Sequence, residues 1–276
     1  MSLLPSSLHA ALALVFCGAG ITSSLVAQTP AAATPTGERL LSERFQPGRR
    51  LVAKLPETAA WYCSSGNGIH NQQAGLTVSA NRHLLAYFRP DQAPLELKPG
   101  QTLRAEFRFS VSDPVASNTT MRFALLYSGG NARRVTADNV GLANPLFAGY
   151  TGYGAFLNLG RSTAVSFFQR DDNVTPATGK LIHGNDDYAA LAINLGTGAD
   201  LAPDTAYTGR FDLTRTAQGL RIAFSIAELP GYTAEYTDTV SPYLRFDTVV
   251  LFGSPSGMSR YKVESVDLTL LPASAR

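Results

Sequence analysis

The stretch LPETAAWYCSSGNGIH, residues 55–70, holds the chain's only tryptophan, Trp61, with Cys63 two residues on and His70 after a glycine-rich turn. A cysteine with a nearby histidine suggests thiolate chemistry, which needs a positioned imidazole and often a helix start to lower the thiol pKa. The surrounding pattern offers neither a helix nor a nucleophile signature. Alternation through AAWYCSS instead puts Trp61 and Cys63 on one face of an extended segment and Tyr62 and Ser64 on the other. A lone Trp and a lone thiol on one face are most simply core. A Trp61 turned to solvent would be a platform for stacking a sugar ring.

A second set of rings lies in NPLFAGYTGYGAF, residues 144–156, where Phe147, Tyr150 and Tyr153 are spaced by glycines. Tyrosine presents an apolar face and a polar tip, so these rings suit either a ligand-contacting loop or a long connection pinned to a sheet. Oxygen-rich turns at RDDN (170–173), GNDD (184–187) and ADN (137–139) are the type of segment that hard cations favour. Zinc, nucleotide and serine-hydrolase chemistry are not indicated. The chain has no His/Cys cluster, no glycine-rich strand–helix loop and no Gly-x-Ser-x-Gly elbow.

The elements that would position these residues are strands. In LRAEFRFSV (103–111), Leu103, Ala105, Phe107, Phe109 and Val111 alternate with Arg104, Glu106, Arg108 and Ser110, the pattern of a half-buried strand. YTGRFDLTR (207–215) and LRIAFSI (220–226) repeat it around the short turn TAQG, which predicts a hairpin over 207–226. Further strands are predicted at 74–79, 84–89, 121–127, 154–159, 164–170, 232–239, 245–252 and 261–270, separated by Gly, Pro, Asn and Asp. Many short strands with almost no helical period indicate an all-β, antiparallel β-sandwich.

FDLTRTAQGLRIAFSIAELPGY (211–232) resembles a hairpin of the concanavalin A-like lectin/glucanase modules, LamG-like jelly rolls found in exported bacterial proteins. The opening segment LLSERFQPG (40–48) and the closing segment YKVESVDLTLL (261–271) are similar to the first and last strands of such modules. The resemblance implies a jelly-roll fold that hosts lectins, glycosidases, lyases and structural domains alike. It also implies a structural calcium tying the first strand to the last, with Glu43 and Asp267 as the ligand pair. The laminarinase-like spacing Glu-x-Asp-x-x-Glu is absent, so that glycosidase branch is set aside. LRAEFR (103–108) and LIHG (181–184) faintly echo alginate-lyase-like enzymes, which implies Arg104 and Arg108 as uronate ligands and His183 as a proton-transfer group. Ion pairing on a wet strand face and a polar loop are the plainer readings of those residues.

The ends and composition set the remaining bounds. Residues 1–27 contain no Lys, Arg, Asp or Glu and hold an apolar run, the pattern of a secretory signal cleaved near Ala27. Residues 28–39 read as a flexible Pro/Ala/Thr linker, 40–271 as one β-sandwich domain and 272–276 as a tail. With Cys17 in the leader, Cys63 has no disulfide partner in the mature chain. A net charge of +2 without a basic block excludes a nucleic-acid footprint, and nothing after the signal predicts membrane insertion. The leading expectation is a secreted, periplasmic or cell-surface protein that binds a polysaccharide or cell-surface glycan without cleaving it. Trp61, Phe147, Tyr150 and Tyr153 are its candidate ligand contacts. The second is a polysaccharide-cleaving enzyme, a lyase or a glycoside hydrolase; the third is a structural surface protein without a small ligand.

Overall fold

A computed structural model describes residues 37–273, apart from 73–74, 114–118, 131–132, 161, 171–178, 185–186 and 256–257. The expected leader (1–27), residues 28–36 of the expected linker and residues 274–276 of the tail lie outside the described residues. Strands in chain order begin with β1 (Glu38–Glu43), β2 (Trp61–Cys63), β3 (Ile69–Gln72), β4 (Gly75–Ser79), β5 (Arg82–Tyr87) and β6 (Leu95–Glu96). There follow β7 (Thr102–Val111), β8 (Thr119–Tyr127), β9 (Thr151–Leu159), β10 (Val165–Arg170), β11 (Tyr188–Leu195) and β12 (Tyr207–Arg215). The last are β13 (Leu220–Ile226), β14 (Leu229–Asp238), β15 (Arg245–Phe246), β16 (Thr248–Gly253) and β17 (Arg260–Leu271). Among the described residues the only helical turns are two short 3-10 segments, Gly66–Gly68 and Pro145–Gly149. None is long and apolar enough to cross a membrane.

The strands form an antiparallel β-sandwich of the jelly-roll type. One sheet of eight strands runs β14-β13-β12-β7-β17-β4-β3, with β1 also paired to β17; a sheet of seven runs β11-β10-β9-β8-β16-β5-β2. A small ribbon pairs β15 with β6. The predicted hairpin is β12–β13, in register from Gly209↔Ile226 to Arg215↔Leu220. First and last strands are joined by backbone pairing, Glu38↔Leu270 through Glu43↔Val266. The first strand starts at Glu38, inside the segment read as linker.

The two sheets differ in what covers their outer faces. On β7, Leu103, Ala105, Phe107 and Phe109 point into the sandwich, while Arg104, Glu106 and Arg108 face outward. Phe107 stacks on Phe123 of the opposite sheet with ring centroids 3.7 Å apart, and Phe224 joins them. Gly209, opposite Phe107 on the neighbouring strand, leaves room for that ring; a β-carbon there would overlap it. The middle of the seven-stranded sheet is buried on both sides, so every residue of β9 and of β16 is buried. That is why TGYGAFLNL and TVVLFG read as continuous runs instead of alternating.

A second core explains the double burial. Leu85, Ala124, Leu126, Phe156, Phe168, Val250 and Phe252, on the outer face of this sheet, pack against Val135, Phe147, Tyr150, Leu181 and Ile182 from the covering connections. Burial of a large side chain stabilises by about 1.5–3 kcal/mol, so these connections are part of the packed structure. The strand predicted at 245–252 is two strands, because Arg245–Phe246 pairs with β6 and Thr248–Gly253 with β5 and β8, with Asp247 between them. Its carboxylate accepts from Ser128 N (2.8 Å), Ser128 Oγ (2.6 Å), Thr248 Oγ1 (2.6 Å) and Arg134 Nη2 (2.8 Å).

Candidate functional site

The aromatic platform expected from the sequence lies indoors. Trp61, Phe147, Tyr150 and Tyr153 are all 0% exposed, and a ring without a solvent face cannot stack on a sugar in this structure. Trp61 packs on Phe45 (centroids 5.2 Å) and donates its indole N–H to Glu43 Oε2 at 3.1 Å. Phe147 and Tyr150 belong to the outer core, Tyr153 to the core between the sheets. Burial pushes the Cys63 thiol above its ordinary value, as expected of an inert thiol.

The calcium pair is likewise replaced by protein contacts. Glu43 is 4% exposed and its two oxygens already accept from Arg44 N, Phe45 N, Thr58 Oγ1, Ala59 N and Trp61 Nε1. Asp267 accepts from Ser42 Oγ at 2.7 Å and pairs with Arg44 at 2.9 Å. Glu43 keeps no free edge for a cation that takes six to eight oxygens, whereas Asp267 is partly exposed with one protein partner on each oxygen. Among the described residues no group of three or more His, Cys, Asp or Glu is placed to hold a metal. Of the oxygen-rich turns, Asp138 pairs with Arg50 and accepts from Cys63 N, and Asp187 accepts from Lys180 N. Residues 171–173 and 185–186 of the other turns lie outside the described residues.

The lyase constellation does not converge. Arg104 makes a two-pronged pair with Asp212 (3.0 and 3.1 Å) and Arg108 pairs with Glu264 (2.6 Å), both on the outer face of the eight-stranded sheet. His183 lies edge-on to Phe252, 5.5 Å away, at the outer face of the other sheet. Two sheets and their shared core, about 10 Å across, stand between the imidazole and the guanidinium groups. The reason is the alternation itself: outward residues of the two sheets point in opposite directions.

A groove of about 600 Å³ brings together residues that sequence reasoning did not select. Its floor is the end of β8 and the start of β9, where Tyr127 pairs with Thr151. One wall carries Gly129, Arg133 and Gly149; the other carries Pro242, Tyr243, Leu244 and Arg245, with Glu96 from β6. Gly129 and Gly130 turn the chain out of β8 at φ of 80° and 61°, values that a glycine adopts without penalty.

Both walls are held by hydrogen bonds of phenols, Tyr150 and Tyr153 buried and Tyr87 half-buried. Tyr87 and Tyr150 share a 2.8 Å hydrogen bond; Tyr87 Oη accepts from Val135 N (2.8 Å) and Tyr150 donates to the Arg133 carbonyl (3.0 Å). Arg134 lies over the Tyr87 ring at 4.5 Å and binds Asp247. Burial pushes the Tyr87 hydroxyl up to about 12, and burial raises Tyr150 further, so both remain protonated donors. On the other wall Tyr153 donates to Asp238 (2.7 Å) and accepts from Tyr243 N (2.9 Å), while Leu97 N donates to the Leu244 carbonyl (3.0 Å).

Chemically the groove offers two half-buried tyrosines, Tyr127 and Tyr243, two exposed arginines and one glutamate. Glu96 is approached by Arg245 (3.6 Å) and Lys98 (3.7 Å). Phenol faces take the apolar face of a pyranose, and arginine and glutamate bind hydroxyl or charged substituents. Paired-carboxylate hydrolysis needs a second acid, and the described lining has only Glu96. The five residues come from three separated parts of the chain, position 96, positions 127 and 133, and positions 243 and 245. No local spacing could have announced them.

No protein-family model matches the chain, and no curated protein sequence matches it. Solved structures of similar fold include an endo-1,3-beta-glucanase from Streptomyces sioyaensis, 14% identical, covering 87% of this chain and 99% of that one at a TM-score of 0.48. The exoplasmic/lumenal domain of VIP36, in a form bound to Ca2+ and Man3GlcNAc, is 11% identical over 87% and 92% of the two chains at 0.48. The alginate lyase Aly36B, as a mutant with alginate trisaccharide, is 10% identical over 77% and 88% at 0.40.

Proposed function

We propose that the chain is an exported, non-catalytic β-sandwich that binds a glycan in the groove lined by Tyr127, Gly129 and Arg133 on one side and Pro242, Tyr243, Leu244 and Arg245 on the other. The observation that carries this reading is the co-location of two partly exposed phenols and two exposed guanidinium groups over one concavity. Elsewhere the large rings singled out from the sequence are buried. Export is supported by residues 1–27, which lack Lys, Arg, Asp and Glu and hold an apolar run. A binding role is supported over cleavage by the single carboxylate in the groove and by the dispersal of Arg104, Arg108 and His183.

The test is retention on a panel of immobilised polysaccharides, with new reducing ends and unsaturated products assayed in the same samples. Retention without cleavage, weakened by Tyr243→Ala, supports the reading. Cleavage lost in a groove variant would make the protein an enzyme. Failure to bind any member of the panel would favour a structural surface role.

A further inference from the structure

The character of the groove goes further than a generic sugar site. Arg133 is exposed, and among the described residues its guanidinium has no ion pair or hydrogen bond, although its carbonyl is fixed by Tyr150. Among the described residues ten arginines pair with a carboxylate, for example Arg50, Arg104, Arg108, Arg134 and Arg221. Arg133 instead lies flat against Gly149, filling the space where a β-carbon would stand. The second arginine of the groove, Arg245, reaches Glu96 only at 3.6 Å. Two cations and one anion leave the lining positive, with one planar five-donor fork presented to solvent.

Such a fork is matched by a carboxylate or sulfate, which accept two parallel hydrogen bonds, better than by a hydroxyl. We infer that, on the glycan-binding reading above, the groove selects an anionic polysaccharide, with Arg133 as the group that receives its carboxylate or sulfate. Gly149 is the positioning residue: its missing side chain lets the guanidinium lie on the backbone and face the groove.

The test uses affinity electrophoresis of the full chain in gels containing a neutral glucan, a polyuronate or a sulfated galactan. Wild type should be retained at least about tenfold more strongly by one of the anionic polymers than by the glucan, as a charge-assisted bond requires. Which anionic polymer wins tells carboxylate from sulfate. Arg133→Ala should remove that preference, and Gly149→Ala should weaken it with the charge intact and the melting temperature unchanged. Arg221→Ala, an exposed arginine outside the groove paired with Glu235, should leave it alone. Equal loss in Arg221→Ala and Arg133→Ala would overturn the inference, since the attraction would then be diffuse. Stronger retention by the glucan, sensitive to Tyr243→Ala, would overturn it while leaving glycan binding in place. Retention by none of the polymers would remove both.

Discussion

Trp61 donates its indole N–H to the buried carboxylate of Glu43, 3.1 Å away. This contact removes the ring from sugar binding and the carboxylate from calcium binding together. It also ties β2, in the seven-stranded sheet, to the end of β1, in the eight-stranded one. Phe45, next to this tie, has φ of 43°, a left-handed conformation that costs a bulky residue about 1–3 kcal/mol. The Glu43 side chain accepts from the Phe45 amide at 2.8 Å and holds it there.

Glu43→Ala strands five donors and should lower unfolding free energy by at least about 3 kcal/mol, given about 1–3 kcal/mol per unsatisfied buried group. Urea unfolding measures it; a loss under about 0.5 kcal/mol would show that the carboxylate does not organise this corner. Because Glu43 is saturated, excess calcium or a chelator should leave the melting temperature of the wild type unchanged. A calcium-dependent rise would mean that a cation competes with these donors.

Cys63 is 0% exposed, and burial raises its thiol pKa, so little thiolate forms and little reagent reaches it. Native protein should react with a thiol reagent far more slowly than protein in denaturant. Equal rates would place the thiol at the surface.

The outer core supplies a stability test. Tyr150 is fully buried and bonds both Tyr87 and the Arg133 carbonyl, so Tyr150→Ala should cost roughly 3–5 kcal/mol, as truncated core aromatics do. A normal melting temperature with lost binding would instead assign Tyr150 to the ligand.

His83 gives a pH signature. Burial first, then the nearby His183, lower its pKa from 6.5 to about 3. The folded state therefore keeps His83 neutral while the unfolded chain takes up a proton below about 6.5. Its contribution is fully present above that pH and is lost as pH falls toward 3, at up to about 1.4 kcal/mol per pH unit. His83→Leu should flatten the acid limb of stability against pH. An unchanged limb would mean that His83 is protonated in the folded state.

Period-two strands were legible because one face of the eight-stranded sheet is wet, as in β7, β12 and β13. The strand β11 was not read from YAALAINL, since it is an edge strand with Ala189, Ala190 and Ile193 exposed and no polar alternation. The rings Phe147, Tyr150 and Tyr153 stayed ambiguous because an amphipathic ring suits a ligand loop and a covering loop equally. What decided them was a second core, which local pattern does not reveal. The groove was illegible for a different reason: Tyr127, Arg133, Tyr243 and Arg245 meet only through strand pairing and the Tyr87–Tyr150 and Tyr153–Tyr243 contacts.

The most direct test of the account is isothermal titration of the wild type and of Tyr127→Ala/Tyr243→Ala with oligosaccharides cut from whichever polymer the protein retains. Both rings are partly exposed at the groove, and each sugar–aromatic contact contributes on the order of 1 kcal/mol. The account predicts a loss of roughly tenfold or more in affinity with a nearly unchanged melting temperature. Unaltered affinity in the double variant would place the glycan site elsewhere and contradict it.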